Sequence, residues 1–169
     1  MGIKLPLSKA RSFAEKVLET LSPYCERMEI AGSIRRKIHT VSDLDLVVIP
    51  RDVKGLMKRC LERGVQMCAG EHVFRVETFA GVQIDIYFAH NGKPDLFRPL
   101  PSNWGSVMLC RTGSREHNIK LCNQANQLGL KWDPSYGLFN EFGDCVAAAT
   151  EQELFDALKM PYVEPEARG

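Results

Sequence analysis

No two cysteines in this chain form a C-x-x-C pair, although six are present, at positions 25, 60, 68, 110, 122 and 145. That absence argues against a zinc site or a redox motif. With most of the six set among apolar residues, it favours reduced, packed thiols over a disulfide framework. A long apolar run is also missing: the longest stretch near the start is broken by Lys9, Arg11, Glu15 and Lys16. Neither a signal peptide nor a membrane span is therefore expected, and the chain reads as cytoplasmic. Charge of either sign is not in excess. At a net charge of +1, any grip on nucleic acid through counterion release must be local or weak. Internal repeats and low-complexity segments are lacking too.

What is present is a chain of 169 residues with 44% hydrophobic content, enough for one large domain or two small ones sharing a core. Apolar periodicity predicts a helix N-capped by Ser8, with Phe13, Ala14, Val17, Leu18 and Leu21 on one face, ended by Ser22-Pro23. Residues 25–30 read as a strand, and 43–49 as its central, mostly buried neighbour, closed by Pro50. Asp52 caps a second helix with Val53, Leu56, Met57, Cys60 and Leu61 inward, stopped by Gly64. Three further strands, 65–68, 72–79 and 82–88, form a meander. Prolines at 94, 99 and 101 mark a subdomain boundary. Beyond it come a helix over 103–111 and another from Ser114, with Ile119, Leu121, Cys122, Ala125 and Leu128 inward. A small hairpin sheet and a final helix with a Thr150–Glu153 capping box follow. The class is α+β: a mixed sheet with flanking helices over residues 1–93, then a small α/β subdomain over 94–169.

The chemistry concentrates between Ala31 and Ile49. Asp is depleted in strands because its side chain competes for backbone hydrogen bonds and packs poorly, so Asp43 and Asp45 in one apolar strand need a reason. The period of a strand is two, which puts both on one face, about 7 Å apart. Such a pair is a platform for a hard divalent cation, although an Asp-x-Asp at a strand start also serves as a turn or cap. Gly32-Ser33 just upstream presents N–H groups and a hydroxyl to an anion at a helix start. Arg36 can clamp a phosphate with its forked donors, and Arg35 is a second clamp or a surface charge. A third carboxylate, Asp85, sits between Ile84 and Ile86. Buried and ionised it must have a cationic partner, either a metal shared with Asp43 and Asp45 or an arginine such as Arg75.

These residues resemble the catalytic core of the family X DNA polymerases. Gly32-Ser33, Arg36, Asp43, Asp45 and Asp85 fall at that family's spacing, and Thr112-Gly113-Ser114 with Asn118 is similar to its thumb signature. Gly137-Leu138-Phe139 and the segment from Leu158 to Pro165 are similar to its closing segments. The resemblance implies a nucleotidyltransferase palm over residues 1–93 and a thumb over 94–169. It further implies a DNA-directed nucleotidyltransferase of the EC 2.7.7.7 class, adding dNMP to a primer 3′-hydroxyl and filling short gaps in DNA repair. By the same resemblance Asp43, Asp45 and Asp85 are catalytic and ligate two Mg2+ ions, with Mn2+ as substitute, Asp85 serving only the first. Gly32, Ser33, Arg36, Ser42, Lys4 and Gly113 bind the nucleotide, and Asn118 reaches its base edge.

Departures from the family pattern qualify this. Cys110-Arg111 stands where an aromatic pair often crowds the sugar, so selection of dNTP over rNTP is expected to be relaxed. Gln83 replaces a basic residue two places before the third carboxylate. Arg115 and Lys120 are the candidate DNA contacts on the thumb helix, with a solvated face as the alternative for Lys120. No helical DNA-binding segment precedes Lys4, so the expectation is palm plus thumb alone: a salt-sensitive monomer with weak grip on gapped or primer-template DNA, recruited by another repair protein. Transfer of AMP to a protein or small molecule uses the same Gly-Ser and carboxylate chemistry. The residues of the second half favour a polymerase, with a template-independent terminal transferase as its variant. Retention of all three carboxylates argues against a non-enzymatic end-binding module.

Overall fold

A strand carrying two acidic residues folds into a core only if they share one face and its other residues fill the interior, and that division organises the first half of the protein. The computed structural model describes residues 3–92 and 100–169. The boundary predicted at 93/94, with Pro94 and Pro99, lies outside the described residues. The chain divides into two compact units, Met1–Phe88 and Ala89–Gly169.

In order, the first unit contains β1 (Leu5–Pro6), α1 (Leu7–Leu21), β2 (Cys25–Ile30), α2 (Gly32–Arg35), β3 (Thr40–Val41), β4 (Asp43–Pro50), α3 (Val53–Leu61), β5 (Gly64–Ala69), β6 (Val73–Thr78) and β7 (Gln83–Phe88). Five strands form one sheet in the order β2-β4-β7-β6-β5, and β1 pairs with β3 separately. All pairs in the large sheet are antiparallel except β4 with β7, which run parallel. Parallel neighbours need a long crossover, here α3, β5 and β6. As expected, β4 lies inside the sheet as the mostly buried neighbour of β2; β7 is the middle strand of the five.

Alternation then sorts the side chains. Leu44, Leu46 and Val48 of β4, Phe74 and Val76 of β6, and Ile84 and Ile86 of β7 join Ala10, Ala14 and Leu21 of α1 and Leu56 and Cys60 of α3 in one core. Each fully buried Leu or Ile contributes about 1.5–3 kcal/mol. The intervening positions, Asp43 and Asp45, Arg75, and Gln83, Asp85 and Tyr87, project from the opposite face.

Several local expectations shift by a residue or a face. Helix α1 starts at Leu7 behind Pro6 with no side-chain cap, because Leu5 and Pro6 are drawn into the ladder with β3; Ser8 lies inside the helix. Asp52 does cap α3, accepting from the Gly55 N–H at 2.9 Å. Val53 and Leu61, at the two ends of that helix, are exposed rather than inward. Pro50 ends β4 as a paired residue opposite Cys25, and Gly64 opens β5.

The second unit holds α4 (Trp104–Thr112), α5 (Arg115–Gln127), β8 (Lys131–Asp133), β9 (Gly137–Phe139), β10 (Cys145–Ala147) and α6 (Glu151–Ala157). The three strands form an antiparallel sheet ordered β10-β9-β8. Leu109, Leu121, Ala125, Trp132, Leu138, Leu154, Phe155 and Leu158 make its core. Gly105 has a Thr150 backbone neighbour so close that a Cβ would overlap it, which lets α4 approach the start of α6. Thr150 caps α6 by accepting from the Glu153 N–H, while the Glu153 carboxylate accepts from the Ala149 N–H. Helix α5 buries His117, Leu121 and Ala125. Ile119 and Cys122, expected inward, are exposed. All six cysteines are free, Cys25 and Cys60 buried but Cys68 and Cys122 exposed, so packing accounts for only some of them. Among the described residues no helix is long and apolar enough to cross a membrane.

Candidate metal and phosphate site

The acidic cluster follows from the register. In the parallel pairing of β4 on β7, Asp43 lies opposite Gln83 and Asp45 opposite Asp85. One carboxylate oxygen from each of Asp43, Asp45 and Asp85 lies within 4.8 Å of the others. Asp85 is buried, at 2% exposure, and the other two are half-buried. Burial pushes the Asp45 carboxyl up to about 7, reinforced by the charges of Asp43 and then Asp85. Asp43 is raised as well, by burial first and the Asp85 charge second, with Arg75 and Arg36 opposing. Two carboxyls, Asp43 and Asp45, that resist ionising beside a third acidic group are what a hard cation relieves.

Ala31 anchors the approach of the phosphate-binding candidates, its N–H donating to the Asp45 carbonyl at 2.9 Å. The next residue, Gly32, has a φ of +59°, and a Cβ there would land on the Asp45 carboxylate. The glycine therefore lets the turn lie directly against the acidic cluster, beyond the tight bend expected of it. Ser33 follows in α2, and its buried Oγ has no hydrogen-bond partner. The Arg36 charge acts favourably on both Asp43 and Asp45. The β1–β3 ladder pairs Leu5 with Val41; continuing that register by one residue sets Lys4 opposite Ser42, next to Asp43. Lys4 and Ser42 are both exposed. An orphaned hydroxyl, a glycine cradle and an all-oxygen donor set fit a divalent cation together with the phosphates it would carry.

Asp85 already has a cationic partner. Arg75, directly opposite it on β6, donates from Nε to Oδ1 at 2.7 Å and from Nη2 to Oδ2 at 2.6 Å. Gln83 Nε2 donates to Oδ1 at 3.0 Å, and the Tyr87 hydroxyl to Oδ2 at 3.2 Å. The fork of hydrogen bonds to Asp85 pushes the Arg75 pKa up. Tyr87 is not among the residues the sequence singles out, although Gln83, Asp85 and Tyr87 share one face at period two. The sequence offers the Arg75 contact only as an alternative to a metal, because strand pairing across the 75–85 hairpin is not stated by either strand alone.

The remaining candidates lie in the second unit. Ser114 caps α5, accepting from the His117 N–H, and Gly113 precedes it at a φ of +67°. Asn118 donates through Nδ2 to the Cys110 carbonyl at 2.8 Å, which leaves its buried Oδ1 without a hydrogen-bond partner. Cys110 and Arg111 are half-buried at the end of α4, while Arg115 and Lys120 are exposed.

A mixed α+β sheet unit carrying three clustered carboxylates, followed by a small helical and hairpin unit, defines an architecture similar to the palm and thumb of polymerase beta. Residues 107–169 match the family model described as DNA polymerase beta thumb. Two crystal structures of Leishmania infantum polymerase beta are similar in fold. The ternary P/T complex shares 19% identity at a TM-score of 0.76, covering 99% of this chain and 77% of that one. The ternary gap complex shares 18% at 0.78, covering 98% and 71%. The DNA polymerase/3'-5' exonuclease PolX of Bacillus subtilis (strain 168) is 24% identical over 171 residues, 98% of this chain and 28% of that protein. The chain thus spans little more than a quarter of that curated relative. Its fold is thus similar to that of polymerase beta, and its second unit matches the polymerase beta thumb model.

Proposed function

We propose that this protein is a DNA-directed nucleotidyltransferase that adds dNMP to a primer 3′-hydroxyl. The observation that supports this best is the register of β4 on β7, which sets Asp45 opposite Asp85 beside the Gly32 turn. Asp43, Asp45 and Asp85 would hold the cations. When bound, two Mg2+ ions, or Mn2+ in their place, lower the pKa of the attacking hydroxyl and neutralise the leaving pyrophosphate. Ser33, Arg36, Lys4 and the backbone at Ser42 orient the triphosphate. Their fixed donors aim it so that the transfer needs little reorganisation. In the second unit, Gly113 and Asn118, the latter with its Nδ2 anchored on Cys110 and its Oδ1 unbonded, are the nucleotide-binding residues that the resemblance implies. Cys110-Arg111 provides no aromatic wall against the ribose, so rNTPs are accepted as well as dNTPs.

The polymer partner in this reading is DNA, by the likeness to polymerase beta complexes and with Arg115 and Lys120 as its contacts. Near-neutral charge makes the grip weak and salt-sensitive, which suits a monomer filling short repair gaps on DNA presented by another protein. The free thiols suit a reducing, cytoplasmic compartment. The test is primer extension across a one-nucleotide gap in Mg2+, each dNTP and rNTP supplied singly. Addition of the complementary nucleotide supports the proposal, and comparable use of the matching rNTP supports the missing sugar wall. Addition regardless of template would make it a terminal transferase. No extension, with AMP appearing on a protein or small molecule, would overturn the polymerase reading.

A further inference from the structure

A carboxylate offers about four lone-pair directions. On Asp85 all four are taken: two by Arg75, one by Gln83 and one by Tyr87. A cation can therefore reach this oxygen pair only by displacing a donor. Gln83 and Tyr87 lie on the same strand as Asp85, and Tyr87 is buried at 9% exposure. The Arg75 side chain is 41% exposed against 3% for that of Asp85, so its guanidinium can leave for solvent while the β6–β7 ladder stays intact. The carboxylate itself cannot move to water, and ionised it needs a positive neighbour at all times.

We propose that Arg75 is the built-in counter-ion of the ion-free site, holding Asp85 until a divalent cation displaces its guanidinium, and that Arg75 thereby sets the threshold for cation binding. The inference rests on the metal reading of the triad. It assigns Arg75 a positioning role: in the free protein it holds the Asp85 carboxylate in place opposite Asp45, and it competes directly with the cation. A bidentate pair is harder to displace than a single ammonium contact, because two parallel charge-assisted bonds must break together. Only Asp85 loses hydrogen-bond acceptor positions to Arg75; the Arg75 charge reaches Asp43 as well, where it favours the ionised carboxylate.

The test is Mn2+ titration by calorimetry, with thermal melts in EDTA and in Mn2+, on the full chain and its Arg75→Met and Arg75→Lys variants. Removing two charge-assisted bonds should tighten Mn2+ binding about tenfold or more in Arg75→Met. The same variant should melt lower in EDTA and gain more from Mn2+ than the parent. Arg75→Lys should fall between the two. In an Asp85→Asn background, Arg75→Met should tighten Mn2+ binding much less than it does in the parent, because only its longer-range charge beside Asp43 is then lost. Equal or weaker Mn2+ binding by Arg75→Met would overturn the proposal. If that variant does not fold without metal, Arg75→Lys decides, with unchanged or weaker binding again overturning it. A parent protein that binds no Mn2+ would instead defeat the metal reading itself.

Discussion

Replacing Gly32 by alanine isolates the contact between the phosphate turn and the acidic cluster. Two costs add. The residue sits at a φ of +59°, where an L side chain costs about 1–2 kcal/mol. The new Cβ also falls on the Asp45 carboxylate, so Asp45 must rotate away from Asp43 and Asp85. The backbone term alone should lower the melting temperature by roughly 5–15 °C for a unit of this size. The displaced ligand should weaken divalent-cation binding by about 10–100-fold, the usual effect of disturbing a residue that supports a metal ligand. Melting in EDTA reads the first effect, and Mn2+ titration on protein confirmed folded by circular dichroism reads the second. Full-strength Mn2+ binding by folded Gly32→Ala would refute the idea that the turn is shaped around Asp45.

Cation binding should also depend on pH through Asp45, whose carboxyl is pushed up to about 7. Because the cation needs the ionised form, affinity should fall about fivefold from pH 7 to pH 6, about fiftyfold to pH 5, and level off above about pH 8; calorimetry in buffers of different ionisation enthalpy would detect the released proton, and a pH-independent affinity would contradict this. The same shift makes the ion-free fold more stable below pH 7 as far as Asp45 is concerned, since a raised carboxyl contributes stability that is lost as pH rises through its folded value. His117 works in the other direction. Buried with neither ring nitrogen hydrogen-bonded, it is lowered to about 4 by burial and by the charges of Arg168 and Lys120. The unfolded chain takes up its proton first, so stability present above about pH 6.5 is lost as pH falls towards 4, by at most about 3 kcal/mol; urea melts of His117→Phe should lack that component. Arg168 is a buried cation bonded to Glu151 at 2.7 Å and to the Val163 carbonyl at 2.8 Å. It lies against the Phe155 and Tyr162 rings, 5.5 Å from each centroid. Arg168→Met should destabilise the second unit by about 3–5 kcal/mol by stranding Glu151, and adding Glu151→Gln should restore part of it.

Much of the site was legible because period two is a strong signal. Asp43 and Asp45 in an apolar strand, and Asp85 between two isoleucines, announce a polar face against a core face. Gly32-Ser33 announces a turn and a helix start, and Asp52, Ser114 and Thr150 announce caps through a hydrogen bond made within three residues. What could not be read depends on residues distant in sequence. That β7 slots between β4 and β6, parallel to β4, is a property of the whole sheet, and with it come the Asp45–Asp85 register and the Arg75 fork. Helix faces blurred at their edges for a similar reason: Val53, Leu61 and Ile119 continue an apolar stripe, but near helix ends or beyond the packed arc they stay about half exposed. Ser8 had the chemistry of a cap, yet pairing of Leu5 and Pro6 with Val41 and Thr40 moved the helix start.

The central claim is that the three clustered carboxylates drive nucleotide addition to DNA. The most direct measurement compares the parent protein with Asp45→Asn on a one-nucleotide gapped duplex in Mg2+ under single-turnover conditions, both proteins shown to be folded. The account predicts addition of the templated nucleotide by the parent and a loss of about a hundred- to a thousandfold in rate for Asp45→Asn, an effect of the size that removing a principal charge-stabilising group produces. Comparable rates for the two proteins would contradict it.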